Sequence, residues 1–335
     1  MLTMGAHSET VVPASVLAPD EHGLQAALDA LARGGLVGMP TETVYGLAGD
    51  AYDPDAVARI FAAKGRPADN PLIVHLADPE ELGRVAAQVT PLARRLAATF
   101  WPGPLTLVVE AAASVPTITR AGLDTVAVRL PDHPVAATLL ERTPRPLAAP
   151  SANRSGRPSP TRAEHVATEL GDAVALVLDG GPCPVGVEST VVDVRGTRPV
   201  VLREGSVTRE QLGIEGTRQA GEDQRSPGTR YRHYAPAYPV VLVARGGMGA
   251  AVAALTREER TSTGVVAGRS TVDALPPGVR VIAGYTDEVD LARGLYGALR
   301  SAEDAGVTRL LVEAVAERGV GRAVMDRLRR AAAPH

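Results

Sequence analysis

Residues 214–238 split this chain in two. They are polar, rich in Gly, Arg and Pro, and contain Ser226-Pro-Gly, whereas apolar strands and amphipathic helices fill the sequence on either side. Such a segment buries too little apolar surface to form an element of its own and reads as an interdomain linker. A length of 335 residues suits two domains better than one. The expected division is an irregular tail over 1–18, a first domain over 19–213, the linker over 214–238 and a second domain over 239–335. The linker also carries Tyr231, His233 and Tyr234, with Tyr238 at its end. Aromatic residues placed so specifically are more than a mere spacer needs.

In the first domain, Asp20 caps a helix running to about Arg33, with Leu24, Ala27, Leu28 and Leu31 on one face and Gly34-Gly35 as its stop. Further helices are expected at 54–63, 79–88, 91–100, 133–142 and 162–170, the last capped by Thr161. Strands are expected at 36–39, 72–76, 105–110, 125–130, 146–149, 174–178, 189–194 and 199–203. Helices and strands mixed without strict alternation predict an α/β (α+β) domain with a twisted sheet. After residue 239 the order is cleaner: strands at 240–244, 264–267, 279–283 and 308–313, and helices at 248–258, 287–305 and 319–331. That order predicts a small domain with a mainly parallel sheet. Its turn Arg245-Gly-Gly-Met-Gly249 matches a phosphate-binding loop only loosely, lacking the full Gly-x-Gly-x-x-Gly and the acidic residue about twenty positions on.

Net charge is −3, which argues against a broad nucleic-acid surface built on clustered Lys and Arg but leaves room for a local cationic pocket. The lone cysteine, Cys183, cannot form an internal disulfide and suits a reducing, cytoplasmic setting. No run approaches the ~20 apolar residues that span a bilayer, and the N-terminus lacks a secretory pattern. No His, Cys, Asp or Glu group has metal-ligand spacing, so no metal site is expected in the protein itself.

The chain holds 34 arginines and a single lysine, Lys64. An ammonium is a compact point charge, so Lys64 can do what a guanidinium cannot. It opens Lys64-Gly-Arg-Pro67, where Lys64 and Arg66 either complement a helix C-terminus or clamp a phosphate or carboxylate. Asn70 and a strand bearing His75 follow. Pro40-Thr-Glu-Thr-Val-Tyr-Gly46 crowds hydroxyls, a carboxylate and a phenol at a strand end, where sites on sheets usually sit. Trp101-Pro-Gly-Pro-Leu-Thr106 reads as a rigid turn, and Arg129 stands at another strand end. Pro150-Ser-Ala-Asn-Arg-Ser-Gly156 offers hydroxyls, an amide and backbone N–H groups suited to phosphates. Ser151 lacks a Gly-x-Ser-x-Gly setting, which argues against a serine hydrolase. Glu188-Ser-Thr190 opens one strand and Arg203 closes the next.

Together, and in this order, these motifs resemble the threonylcarbamoyl-AMP synthase family in its long form, a YrdC-type domain followed by an added C-terminal domain. The resemblance covers about residues 20–332 and includes Tyr231-Arg-His-Tyr-Ala-Pro236 and the closing Gly-Val-Gly-Arg-Ala-Val-Met-Asp-Arg-Leu run. One departure is Leu-Ala-Gly-Asp after the first motif, where a Leu-Gly-Ala-Asp-like run is more usual. The resemblance implies a concave cavity in a twisted mixed sheet and a small Rossmann-like α/β C-terminal domain. It implies that Thr43, His75, Arg129 and Ser189 hold L-threonine. It places Arg66, Asn70, Thr125, Ala149, Ser151, Ser159, Arg203 and His233 around ATP, and makes Lys64, Arg66, Ser151 and Asn153 the catalytic set.

The implied activity is a nucleotidyltransferase reaction that joins ATP, L-threonine and bicarbonate into threonylcarbamoyl-AMP and pyrophosphate. Mg2+ would arrive on the ATP phosphates, and a separate tRNA threonylcarbamoyl transferase would take the product. Direct nucleic-acid binding is expected to be weak or absent. The competing readings are an RNA-binding module and a carbamoyltransferase containing a similar domain.

Overall fold

The structure, a computed structural model, describes residues 13–214 and 234–333. Most of the expected linker, with Ser226, Tyr231 and His233, lies outside the described residues. In chain order the first region contains β1 (Val16–Leu17), α1 (Glu21–Ala32), β2 (Val37–Met39), β3 (Gly46–Asp50), α2 (Pro54–Lys64), β4 (Ile73–His75), α3 (Leu82–Val85), α4 (Pro91–Phe100), β5 (Leu105–Glu110), β6 (Thr125–Arg129), α5 (Pro134–Arg142), β7 (Leu147–Ala148), α6 (Ala163–Leu170), β8 (Leu176–Leu178), β9 (Thr190–Asp193) and β10 (Val200–Arg203). The second contains β11 (Val240–Val243), α7 (Met248–Ala253), α8 (Arg257–Ser262), β12 (Thr263–Gly268), α9 (Arg269–Asp273), β13 (Arg280–Tyr285), α10 (Glu288–Asp304), β14 (Arg309–Glu313) and α11 (Gly321–Ala331).

Strands β1–β10 form one mixed sheet in the order β1-β8-β2-β3-β7-β4-β6-β5-β9-β10. Alternation along each strand sends side chains to both faces. Val177 joins a core built with α2, α4 and α6, while Leu176 and Leu178 join one built with α1 and α5. Ile73, Val108, Ala127 and Val191 make a further small apolar patch. The second sheet is all parallel in the order β11-β14-β12-β13. Its two faces are covered by α10 and α11 on one side and by α7 and α9 on the other.

The expected starts and stops hold where side chains set them. The Asp20 carboxylate accepts from Gly23 N at 2.9 Å. Asp53 and Pro54 open α2, and Gly65 closes it with φ 58°, a left-handed turn that glycine adopts without penalty.

Several expectations need correcting. Val16–Leu17, assigned to the irregular tail, pairs in parallel with β8. The helix expected at 79–88 is a 3-10 turn at Pro79–Glu81 followed by the short α3. The helix expected at 248–258 is two, because Thr256 and Glu259 form a capping box that starts α8 afresh. β3 and α9 were not expected. Thr161 does not cap α6: Arg162 holds the N-cap position without a side-chain cap, and the Thr161 backbone N–H donates to His165 Nδ1 at 3.3 Å.

The two regions share an interface. Val44 and Val187 of the first region pack into the α10–α11 core. Around them Arg157 pairs with Glu303 at 2.8 Å, Arg300 with Glu169 at 2.5 Å, and Arg322 with Glu210 at 2.7 Å. No helix of the described residues is long and apolar enough to cross a membrane.

Candidate active site

A cleft of about 710 Å3, counted out to its open mouth, lies where the 41–46 turn, the end of α2, the 149–155 turn and the ends of β4, β6 and β10 converge. The parallel register of β4 with β6 sets His75 beside Arg129. Both are strand-terminal, so their side chains meet at one end of the cleft. Arg129 Nη1 donates to Thr43 Oγ1 at 2.9 Å and Nε to Gly103 O at 3.2 Å, the latter within the turn opened by Trp101.

His75 Nδ1 lies 3.1 Å from Ile73 O. A carbonyl only accepts, so Nδ1 carries the proton and Nε2 is an acceptor. Burial, reinforced by Arg129, pushes the His75 pKa down to about 3, so the ring stays neutral.

The other end of the cleft is cationic. Gly65 turns the chain so that Lys64 and Arg66 both line it. Lys64 Nζ donates to Ser151 O at 2.5 Å and to Asn153 O, while Ser155 N returns a bond to Lys64 O at 2.8 Å. The lysine and the 150–156 turn therefore fix each other. Burial, then repulsion from Arg66, pushes Lys64 down to about 7. Burial, then Arg203, pushes Arg66 down to about 9. Arg203 is also lowered, chiefly by burial. Lys64 and Arg203 are buried and Arg66 half-buried, and cations set this close are costly without an anion between them.

Arg203 Nη2 donates to Ser189 O at 2.9 Å and to Ser189 Oγ at 3.1 Å, and Ser189 Oγ meets Thr106 Oγ1 at 2.7 Å. Glu188, next door, is the only carboxylate lining the cleft among the described residues. Ser159 Oγ donates to it at 2.6 Å, Tyr296 OH at 2.9 Å and Arg327 Nε at 3.1 Å. Burial alone would raise its pKa, but Arg327, Arg203 and Ser159 outweigh that and hold it below the usual range. Tyr234, at the described end of the linker, completes the wall beneath the Arg327 guanidinium, 5.6 Å from its ring centroid.

Comparison with known proteins gives the family and the fold. The Sua5/YciO/YrdC family model, described as telomere recombination, matches residues 29–205, and the model of the threonylcarbamoyl-AMP synthase C-terminal domain matches residues 200–333. Threonylcarbamoyl-AMP synthase of Pyrococcus abyssi is 43% identical over 93% of this chain and 94% of that protein. The Bacillus subtilis protein of the same name is 41% identical over 89% of each. The chain belongs to the threonylcarbamoyl-AMP synthase family. Its fold matches P. abyssi Sua5 complexed with L-threonine, with a TM-score of 0.85 at 40% identity over 96% of this chain and 98% of that one. A double variant of the same Sua5 matches at 0.86, with 39% identity over 95% and 96% of the two chains.

For this member of the synthase family the cleft gathers Thr43, Lys64, Arg66, His75, Arg129, Ala149, Ser151, Asn153, Ser189 and Arg203. Three other expected residues stand back from it. Asn70 acts on Arg66, accepting from its Nη2 at 2.7 Å. Ser159 spends its hydroxyl on Glu188. Thr125 begins β6 opposite Glu110 and does not reach the cleft. His233 lies outside the described residues. The motif reading left Glu188, Glu42 and Arg327, the last within the closing run, without roles and missed Tyr296. Tyr296 and Arg327 each meet Glu188 only through the fold.

Proposed function

We propose that this chain is an L-threonylcarbamoyladenylate synthase of the nucleotidyltransferase class. It converts ATP, L-threonine and bicarbonate to threonylcarbamoyl-AMP and pyrophosphate in the cytoplasm, and a tRNA threonylcarbamoyl transferase consumes the product. The observation that carries this reading is the cationic set Lys64, Arg66 and Arg203 opposite Arg129 and His75 in one cleft. One end suits a polyphosphate and the other a small amino acid. Threonine's carboxylate meets Arg129, with Thr43 and Ser189 beside it and Nε2 of the neutral His75 accepting a hydrogen bond from its polar groups. ATP lies along Arg66, Arg203, Ser151 and the Ala149 backbone, with Asn70 holding Arg66 in place; His233 is a further candidate for the nucleotide.

Threonine's amine and bicarbonate (or CO2) give a carbamate. A carbamate oxygen attacks the α-phosphorus, a new P–O bond forms, the bond to the β-phosphate bridge breaks, and pyrophosphate leaves with the electron pair. Both reactants are anions, so the barrier is largely repulsion and alignment. Lys64 and Arg66 offset the charge that moves onto pyrophosphate, while Ser151 and Asn153 shape the turn beneath it. Glu188 is already bonded to three side chains, so the cleft offers Mg2+ no spare carboxylate, and the ion would ride on the phosphates.

Pyrophosphate release with threonine and bicarbonate each present or omitted tests the reading. Release that needs both is expected; ATP turnover indifferent to threonine would reject the substrate assignment.

A further inference from the structure

Glu42 lies in the first sequence motif but has no part in the chemistry above. It is 5% exposed, and its Oε1 sits 2.5 Å from Nη2 of Arg129, itself 4% exposed. The contact is a buried ion pair through Nη2 alone, and Glu42 Oε2 is buried without a hydrogen-bond partner. Glu42 therefore balances the charge of Arg129 at one terminal nitrogen. A guanidinium has five N–H donors. Gly103 O and Thr43 Oγ1 take one each and Glu42 faces Nη2, so part of the fork remains on a side chain that lines the cleft.

The other titratable neighbours of Glu42 do not compete for its charge. Burial lowers the His133 pKa, and His133 Nδ1 accepts from Val135 N, which leaves the ring neutral. Burial pushes the Cys183 thiol up to about 12, so it too is uncharged. Glu42 and Arg129 thus form an isolated, neutralised pair at the amino-acid end. Lys64, Arg66 and Arg203 stand at the other end with Glu188, whose charge is shared with Arg327.

We infer that Glu42 is a specificity-determining counter-ion: it keeps polyphosphate off Arg129 and so reserves that fork for a single carboxylate. The inference rests on the assignment of Arg129 to threonine. A polyphosphate carries several charges, and an uncompensated buried arginine would attract it more strongly than it attracts an amino acid. With Glu42 in place the long-range attraction is cancelled, and only a ligand that fits the fork gains from it. This is discrimination by charge against the wrong ligand as well as by fit to the right one.

The test is the threonine KM measured at several ATP concentrations in the wild type, Glu42→Gln and Glu42→Asp. Gln keeps the shape and removes the charge. In Glu42→Gln the threonine KM is expected to rise about threefold or more across a roughly tenfold rise in ATP, because ATP now competes at Arg129. In the wild type and Glu42→Asp it should stay flat. A flat profile in a folded Glu42→Gln protein overturns the inference, even if its melting temperature falls. A second measurement needs no variant. Threonine affinity of the wild type, read by calorimetry, should be unchanged by saturating pyrophosphate; displacement overturns the inference. Arg129→Gln separates the two levels of the argument. If it leaves the threonine KM unmoved, the assignment of Arg129 itself fails; if it raises KM while Glu42→Gln shows no ATP dependence, only the role of Glu42 fails.

Discussion

Lys64 shows how a single atom can demand one residue type. Its Nζ reaches two backbone carbonyls from one nitrogen, Ser151 O and Asn153 O. A guanidinium spreads its donors over a plane and cannot copy that convergence. Lys64→Arg is expected to keep the fold and lose about 100-fold or more in turnover, comparable to removing one preorganised transition-state donor. Circular dichroism and pyrophosphate release together check this, and near-normal turnover would remove Lys64 from the chemistry.

The depressed pKa adds a pH signature. With Lys64 at about 7 in the free protein, the amine is mostly neutral at about pH 8. Bound phosphates favour the charged form and raise the pKa, so ATP binding at that pH should take up close to one proton, and little at about pH 6. Calorimetry in buffers of different ionisation heat reads the uptake, and its absence at the higher pH would place Lys64 away from the phosphates. The special status of Lys64 was legible in a chain that writes every other cation as arginine. Its partners were not, because they are backbone atoms about ninety positions away.

Elements were legible where side chains mark their ends, and illegible where pairing creates them. Gly46-Leu-Ala-Gly-Asp50 has two glycines and no β-branched residue, so its own propensity argues against a strand. It becomes β3 because β2 and β7 flank it. The split between α7 and α8 was readable in principle, since Thr256 and Glu259 have capping-box spacing.

α11 presents a different case. Its buried face looks like ordinary core packing, yet it carries Arg327, wholly buried and bonded to Glu188 at 3.1 Å and to Glu204 O at 2.6 Å. Arg327→Met would strand a buried carboxylate. Urea unfolding should show a loss of about 3–5 kcal/mol, the usual consequence of removing one partner of a buried pair. A loss within 0.5 kcal/mol, roughly that of a surface change, would mean that Tyr296 and Ser159 suffice.

For the whole molecule, the sequence suggested two halves but not how they would meet. Glu188 and Arg327 are 139 positions apart, and no periodicity or motif connects them. The close approach of the halves depends on Gly186, at φ 79°. A Cβ there would lie 2.4 Å from Arg293 Cα and 2.5 Å from Ala292 O of α10. Backbone on α10 cannot yield as a side-chain tip can, so Gly186→Ala should push the halves apart. Faster limited proteolysis between them, with Val44 and Val187 newly exposed to a hydrophobic dye, is the expected result; an unchanged digest would show that the interface tolerates the shift.

The shared carboxylate also bears on the order in which the protein is made. The N-terminal half leaves the ribosome first, carrying Glu188 with Ser159 and Arg203 beside it. Arg327 comes from α11, 139 positions further on. When α11 docks, a second cation meets the carboxylate, and the nucleotide end of the cleft loses what negative charge Glu188 had left there.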